Sequence, residues 1–284
     1  MSCRATVLIP TFNHECLLYQ SVGSVLEQTV SDIEVFIVGD GVPDRTREIV
    51  AELKQRDDRV YFFDHPKGPR FGEAYRHGVL QHATGEIVCY LSDDDIYMAD
   101  HVEYMLELLG RADFCNTLCM YIDGDGAINY GPVDMADPSF RRQELEGRGM
   151  VSLTMGAHTL DMYRRLPYGW RTTPDNISTD LYMWQQFLAI TDCRAASGIK
   201  PTAIRFPNIF REHRSLAERF DELENWREKA RDLIWRDQQV IDLLIKGVHD
   251  LPAHQKVLEE TRQQVLRLAQ QLGRRENGTG GSGE

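Results

Sequence analysis

The 284-residue sequence is short of several things, and each shortage removes a class of protein. Its six cysteines, at 3, 16, 89, 115, 119 and 193, are scattered through mostly apolar runs and form no CxxC pair. That points away from a disulfide framework and a zinc site, and towards reduced, buried thiols in a cytoplasmic protein. No long apolar run occurs: Ile33 to Val38, with Glu34 inside it, is far short of the ~20 residues a spanning helix needs. The opening residues lack the apolar stretch of a signal peptide and read instead as a first strand. Positive charge is also in deficit. With 32 basic against 44 acidic residues the formal charge is −12, which argues against nucleic-acid binding while leaving room for a local basic pocket around one small anion. No GxGxxG follows the first strand, and GxxxxGK[ST], HExxH and GxSxG do not occur, so dehydrogenase, P-loop and hydrolase readings lose their main support. Apolar residues are not lacking: at 42% they suffice for a sizeable core and exclude a wholly disordered chain.

The first half alternates short β-rich runs with helical patterns. Ala5 to Ile9, Ile33 to Val38, Val60 to Phe63 and Glu86 to Leu91 read as strands. Between them, Leu17, Leu18, Val22, Val25 and Leu26 repeat at helical spacing, as do Ile49, Val50 and Leu53 within Asp44 to Arg56, and Glu73 to Ala83 reads as a third helix. This alternation predicts an α/β fold with a mostly parallel sheet flanked by helices. Ligands of such sheets bind at the carboxyl ends of strands. Thr11 to Asn13, Asp40 and Asp93 to Asp95 all fall at such ends. Further on, Asp123-Gly124-Asp125-Gly126 reads as a hairpin turn, Pro132 to Arg148 as a loop and Ser178 to Ile190 as a helix. From Ser215 the chain is helix-forming, with a last amphipathic helix over Gln255 to Leu272, and Glu276 to Glu284 is a Gly/Ser-rich disordered tail. The division expected is a domain over 1–212, in two halves at 1–110 and 111–212, then a helical extension over 213–275 and the tail over 276–284.

Asp93-Asp94-Asp95 is the strongest chemical signal. Three adjacent carboxylates repel one another, and a divalent cation held together with a diphosphate would offset their charge. The alternative is a solvated acidic turn that caps the next helix.

Several segments together resemble the family 2 glycosyltransferases, enzymes of GT-A fold that use nucleotide-diphosphate sugars. Thr6 to Asn13 resembles the family's opening strand and loop, Ser24 to Thr29 the end of its first helix, and Glu34 to Gly41 its second strand and acidic turn. Ala83 to Val88, leading into Leu91-Ser92-Asp93-Asp94-Asp95, is similar to the approach to its DxD-type motif. The resemblance implies a Rossmann-like sheet, a nucleotide-binding half at 1–110 and an acceptor half at 111–212, and a metal-dependent, inverting transfer of a sugar to a hydroxyl acceptor. It implies Pro10, Thr11 and Asn13 beside the nucleotide, Asp40 on the base, Asp93 on the ribose, and Arg70 or Arg76 near the nucleotide. It further implies Asp94, with Asp95, on Mn2+ or Mg2+. The chain departs from the family's pattern at Gly39, where a second acidic residue is common, and at Ser92, the first position of the usual acidic motif.

In the acceptor half, Thr179 to Trp184 is similar to the family's helix-start motif, which makes Asp180 the implied general base, with Asp175 in reserve. A carboxylate within reach of a sugar hydroxyl can take its proton as it attacks. The alternative is that Ser178 to Asp180 merely caps a helix. Phe210 to Ser215 resembles a later motif and implies His213 as a metal or diphosphate ligand, against a plain surface histidine. By the same analogy Gly156 and His158 would lie along the sugar site, against a packed strand with one satisfied histidine. The competing functions are a sugar nucleotidyltransferase, which would want a Gly-rich loop after the first strand, and a non-catalytic nucleotide-sugar-binding scaffold with the C-terminal helices as partner surface. The acceptor is open among a glycan, a protein, a small molecule and a lipid-linked sugar met at the membrane surface. The apolar stripe of the last helix suggests a homodimer.

Overall fold

A computed structural model describes residues 3–247 and, beyond them, positions 252, 255, 256, 259 and 263. The expected alternation is present: β1 (Ala5–Thr11), α1 (Leu18–Leu26), β2 (Ile33–Asp40), α2 (Asp44–Arg56), β3 (Val60–His65), α3 (Tyr75–Leu80) and β4 (Ile87–Tyr90). The inner strands β1, β2 and β4 are rich in β-branched residues and almost wholly buried, which suits a sheet covered on both faces, whereas the edge strand β3 is only partly covered. Glu34, the one acid inside the β2 run, is satisfied there by Thr6 Oγ1 at 2.6 Å and the Thr84 amide at 2.6 Å. α1 turns Leu18, Val22 and Val25 into the core and α2 turns Ile49, Val50 and Leu53.

After β4 come β5 (Ile96–Tyr97), α4 (His101–Leu109), β6 (Phe114–Asn116), β7 (Cys119–Ile122), β8 (Ile128–Gly131), α5 (Pro138–Leu145) and β9 (Gly156–Thr159). Next are α6 (Leu160–Arg164), α7 (Thr179–Ala189), β10 (Ala195–Ser197), β11 (Ala203–Arg205) and α8 (Leu216–Ala230). The main sheet runs β10-β6-β9-β4-β1-β2-β3, parallel except for β9, which is antiparallel to both β4 and β6. A second sheet has the order β5-β11-β7-β8, and the Asp123–Gly126 turn joins its antiparallel β7 and β8.

One segment differs from expectation. Pro132 to Arg148 is not simply a loop, because α5 lies inside it. Its periodicity is weak since little of it is apolar. It is held by the Asp137 cap on the Ser139 amide, by proline in its first turn, and by Arg141 donating to the carbonyls of Leu188, Ile190 and Cys193.

The register places the site. Thr11 pairs with Gly39 and Leu8 with Tyr90, so the carboxyl ends of β1, β2 and β4 emerge at one rim. The chain divides into two compact units, Met1–Leu233 and Ile234–Glu284, and α8 lies in the first. Residues 234–247 of the second are helical. The helix expected over Gln255 to Leu272, on which the homodimer rests, and the tail at 276–284 lie essentially outside the described residues. Among the described residues, no helix is long and apolar enough to cross a membrane.

Candidate active site

A cleft of about 440 Å³ opens on this rim. Pro10, Thr11, Phe12, Asn13 and His14 from the end of β1, Asp40 from β2, and Ser92, Asp93 and Asp94 after β4 form one wall, as the topology requires. Lys67, Arg70, Phe71 and Arg76 come from the β3–α3 connection and α3, Leu153 from the turn before β9, and Thr179 and Asp180 from the start of α7.

At the β2 end, Asp40 accepts from Lys67 Nζ at 2.7 Å and from the Gly68 amide at 2.6 Å. The loop can wrap this tightly because Gly72 has φ +60° and no side chain; a Cβ there would sit 2.3 Å from Asp40 Cγ. Lys67 also lies 5.4 Å from the ring centroid of Phe12, itself 43% exposed. Arg70 donates to the carbonyls of Pro174 and Ile177 and to Asp175, tying the loop to the segment before α7. Arg76 is buried with its guanidinium 4.5 Å from the Trp170 ring centroid, and its Nε and Nη1 have no hydrogen-bond partner. Burial holds it below the usual arginine range, against the pull of Asp180 and Glu73.

The three carboxylates after β4 have separate environments. Asp93 accepts from Thr11 Oγ1 and from His14 Nδ1, each at 2.7 Å. Asp94 accepts from Arg219 Nη2 at 2.7 Å and is pushed up to about 7 by burial and by the negative charge of Asp95 and Asp93, with His14 and Arg219 opposing. Asp95 turns into the protein, where it accepts from Thr154 Oγ1 and from the Phe206 amide, and it does not line the cleft. Ligand atoms of His14, Asp93 and Asp94 lie within 4.8 Å of one another. The two carboxylates suit Mn2+ or Mg2+, and of the two the imidazole favours the transition metal Mn2+. Burial works against a charge on His14, but Asp93 and Asp94 outweigh it and raise the imidazole to about 8.

Among the described residues, the group that could hold a cation therefore differs from the one expected: it contains Asp94, with Asp93 and His14 in place of Asp95 and His213. Asp95 is committed to backbone and hydroxyl donors, and His213 sits in an exposed turn, outside both this group and the cleft lining. The fixed point of the Phe210–Ser215 segment is Arg211, fully buried and paired with Glu222 at 2.8 and 2.7 Å. Gly156 and His158 are also absent from the lining. Both are on β9 in mid-sheet; a Cβ on Gly156 would meet Trp184 at 2.8 Å, and His158 bonds Tyr90 Oη at 2.7 Å and the Thr159 carbonyl at 3.0 Å. Burial holds His158 down at about 3, so it is a neutral core histidine.

Asp180 lines the cleft. Its oxygens accept from the Leu153 amide at 2.9 Å and from Thr179 Oγ1 at 2.8 Å, and neither bond caps α7, whose N-cap is Ser178. Asp175 is fully exposed, off the cleft and beside Arg70. His14, Lys67 and Arg219 were missed by sequence reasoning. His14 directly follows Thr11 to Asn13 and Lys67 lies in the loop scanned only for arginines, whereas nothing local marks Arg219, 125 residues from Asp94.

The model of the family described as glycosyl transferase family 2 matches residues 6–168, more than half of the chain. A GalNAc(5)-diNAcBac-PP-undecaprenol beta-1,3-glucosyltransferase of Campylobacter jejuni is 29% identical over 107 residues, 37% of this chain and 34% of that protein. An uncharacterized glycosyltransferase of Nostoc sp. is 33% identical over 138 residues, 45% of this chain and 42% of its own. The chain thus spans about a third to two fifths of the length of these relatives. Among solved structures, S. aureus TarS 1-349 in complex with UDP-GlcNAc aligns with TM-score 0.57 and 16% identity, over 86% of this chain and 72% of that one. The mannosyltransferase PcManGT from Pyrobaculum calidifontis, in complex with GDP-Man and Mn2+, aligns with TM-score 0.52 and 19% identity, over 71% of this chain and 56% of that one. At these identities the structural likeness speaks to a shared GT-A-like fold.

Proposed function

The chain belongs to glycosyl transferase family 2, and on that premise we propose that it moves a sugar from a nucleoside-diphosphate sugar to a hydroxyl acceptor, with inversion at the anomeric carbon. The observation that carries the reading is the composition of the cleft: a donor wall of Asp40, Asp93, Asp94 and His14, with Asp180 contributed by the acceptor half.

On the donor side, Pro10, Thr11 and Asn13 flank the nucleotide and Asp40 takes the base edge, for which Lys67 must loosen its hold. Arg70 and Arg76 line the same side, and the two unpartnered nitrogens of Arg76 are free to meet an anionic or hydroxyl oxygen. Asp93 faces the ribose while holding His14. His14, Asp93 and Asp94 are the residues that would hold Mn2+ or Mg2+, which when bound neutralises the departing diphosphate. The solved neighbours whose titles name UDP-GlcNAc, and GDP-Man with Mn2+, support this class of donor.

Asp180 takes the proton of the acceptor hydroxyl. In a single displacement the acceptor attacks the face opposite the leaving group, so the base must stand apart from the carboxylates engaged with the diphosphate. Its bonds to the Leu153 amide and Thr179 fix its position. A nucleotidyltransferase loses support because Phe12 to His14 follow β1 in place of a Gly-rich loop. The test is a panel of UDP- and GDP-sugars incubated with the protein and Mn2+. Release of nucleoside diphosphate, enhanced by a hydroxyl acceptor, is expected, and absence of both binding and turnover across the panel would refute the reading.

A further inference from the structure

The inner face of α8 carries one residue out of keeping with the rest. Arg219, Leu223, Trp226 and Ala230 are its buried positions, a helical stripe with a cation at its N-terminal end. Arg219 is only 7% exposed. Its Nη2 lies 2.7 Å from Asp94 Oδ2, and its Nε is buried with no hydrogen-bond partner. α8 has other anchors that do not involve Arg219. Ser215 and Glu218 form a capping box, Arg211 and Arg214 pair with Glu222, and Arg227 and Arg231 both reach Glu27 after α1. A buried arginine without a need in docking the helix calls for an account at its other end, which is the carboxylate group of the donor wall.

We propose that Arg219 is the resident counter-charge of the His14–Asp93–Asp94 group and that it couples entry of the divalent cation to entry of the nucleoside diphosphate. This rests on the metal-dependent reading given above. A guanidinium on Asp94 occupies an oxygen that the cation needs and repels the cation itself, so the empty cleft holds a lone divalent ion poorly. The same positive charge attracts a diphosphate. A fixed charge a few ångströms from a divalent ion changes its affinity by tenfold or more, even at an effective dielectric of about 20. When a diphosphate draws the guanidinium off Asp94, the carboxylate oxygen is freed for the cation and the repelling charge is offset, so each ligand favours the other's binding and the coupling is reciprocal. Arg219 is thus a positioning residue: it acts on the ligands of the cleft through charge and through Asp94.

The test titrates Mn2+ alone into wild type, Arg219→Gln and Arg219→Lys, reading free Mn2+ by its electron paramagnetic resonance, and then UDP and GDP at saturating Mn2+ by calorimetry. Arg219→Gln should bind Mn2+ alone about tenfold more tightly and the nucleoside diphosphates about tenfold more weakly, with Arg219→Lys close to wild type. Arg219→Met, whose side chain suits the apolar stripe, is the second variant should Arg219→Gln fold poorly by circular dichroism. Unchanged or weaker Mn2+ binding in the neutral variants would overturn the proposal, because Arg219 would then only pack or only orient Asp94. Asp94→Asn binding Mn2+ as tightly as wild type is the separate outcome that removes the metal assignment itself.

Discussion

His14 and His158 are the same side chain at two places on one sheet, and their chemistry is opposite. His14 follows the carboxyl end of β1, where Asp93 and Asp94 overcome the cost of burial and raise it to about 8. His158 lies inside β9 between β4 and β6, where its partners are neutral and burial lowers it to about 3. Charge on His14 therefore favours the fold at low pH, and that contribution is lost as pH rises through about 8. His158 contributes in the reverse sense, fully above an unfolded value near 6.5 and progressively less as pH falls towards about 3. Strand ends leave polar groups open to a ligand, whereas strand interiors must satisfy them within the protein. Substitutions at the rim should change binding and turnover with little loss of stability, and substitutions inside β9 should do the reverse.

The sharpest way to break that contrast is Asp180→Asn, which keeps shape but removes the basic oxygen. Transfer should fall by ~10²-fold or more while donor affinity is unchanged, read by initial rates and calorimetry. An active variant would move the base elsewhere, and a product that retains the donor's anomeric configuration would refute a single displacement. Asp94→Asn comes next. It leaves an oxygen for Arg219, so unfolding should occur at the same temperature or higher, while Mn2+-dependent nucleoside diphosphate binding weakens by at least about tenfold, the scale of one lost charge–charge contact.

The interior half of the contrast is sharpened by Gly156→Ala. A methyl group 2.8 Å from Trp184 should cost about 1–3 kcal/mol in urea unfolding and leave donor affinity alone, if the folded fraction is compared. His158→Gln has a smaller, pH-dependent signature. Wild type should lose stability between pH 6.5 and 5 by up to about 1.4 kcal/mol per unit through this group, and the variant should lose less. The smallest effect belongs to His213→Ala, which should leave Mn2+ binding unchanged because His213 is exposed and outside the metal group. Weakened Mn2+ binding in that variant would bring the C-terminal turn back into the site.

The elements of the donor half were largely legible because each is a local matter. Apolar alternation, helical spacing and turn residues identify β1, α1, β2 and α2 to within a residue or two, and Asp44 to Arg56 is matched at both ends. Asp40, Asp93 and Asp94 were legible for a related reason: a parallel sheet sends the ends of its strands to one rim, so polar residues just after buried strands converge. α5 was not legible by periodicity because little of it is apolar: beyond its local Asp137 cap and first-turn proline, it is held by Arg141 reaching carbonyls about 50 residues away.

What the sequence determined by itself is the order of strands and helices, and with it the rim on which the chemistry is built. What only the tertiary structure decided is which polar side chains face that rim. Asp94 and Asp95 are neighbours of identical chemistry, yet one lines the cleft and the other satisfies Thr154 and Phe206. The two histidines in resembling motifs, His158 and His213, lie elsewhere, and His14 stands beside the carboxylates in their place. Arg219 reaches Asp94 from a helix 125 residues away. The reason is physical: a side chain's direction and its partners depend on packing between distant segments, whereas periodicity records only which residues along one segment share a face.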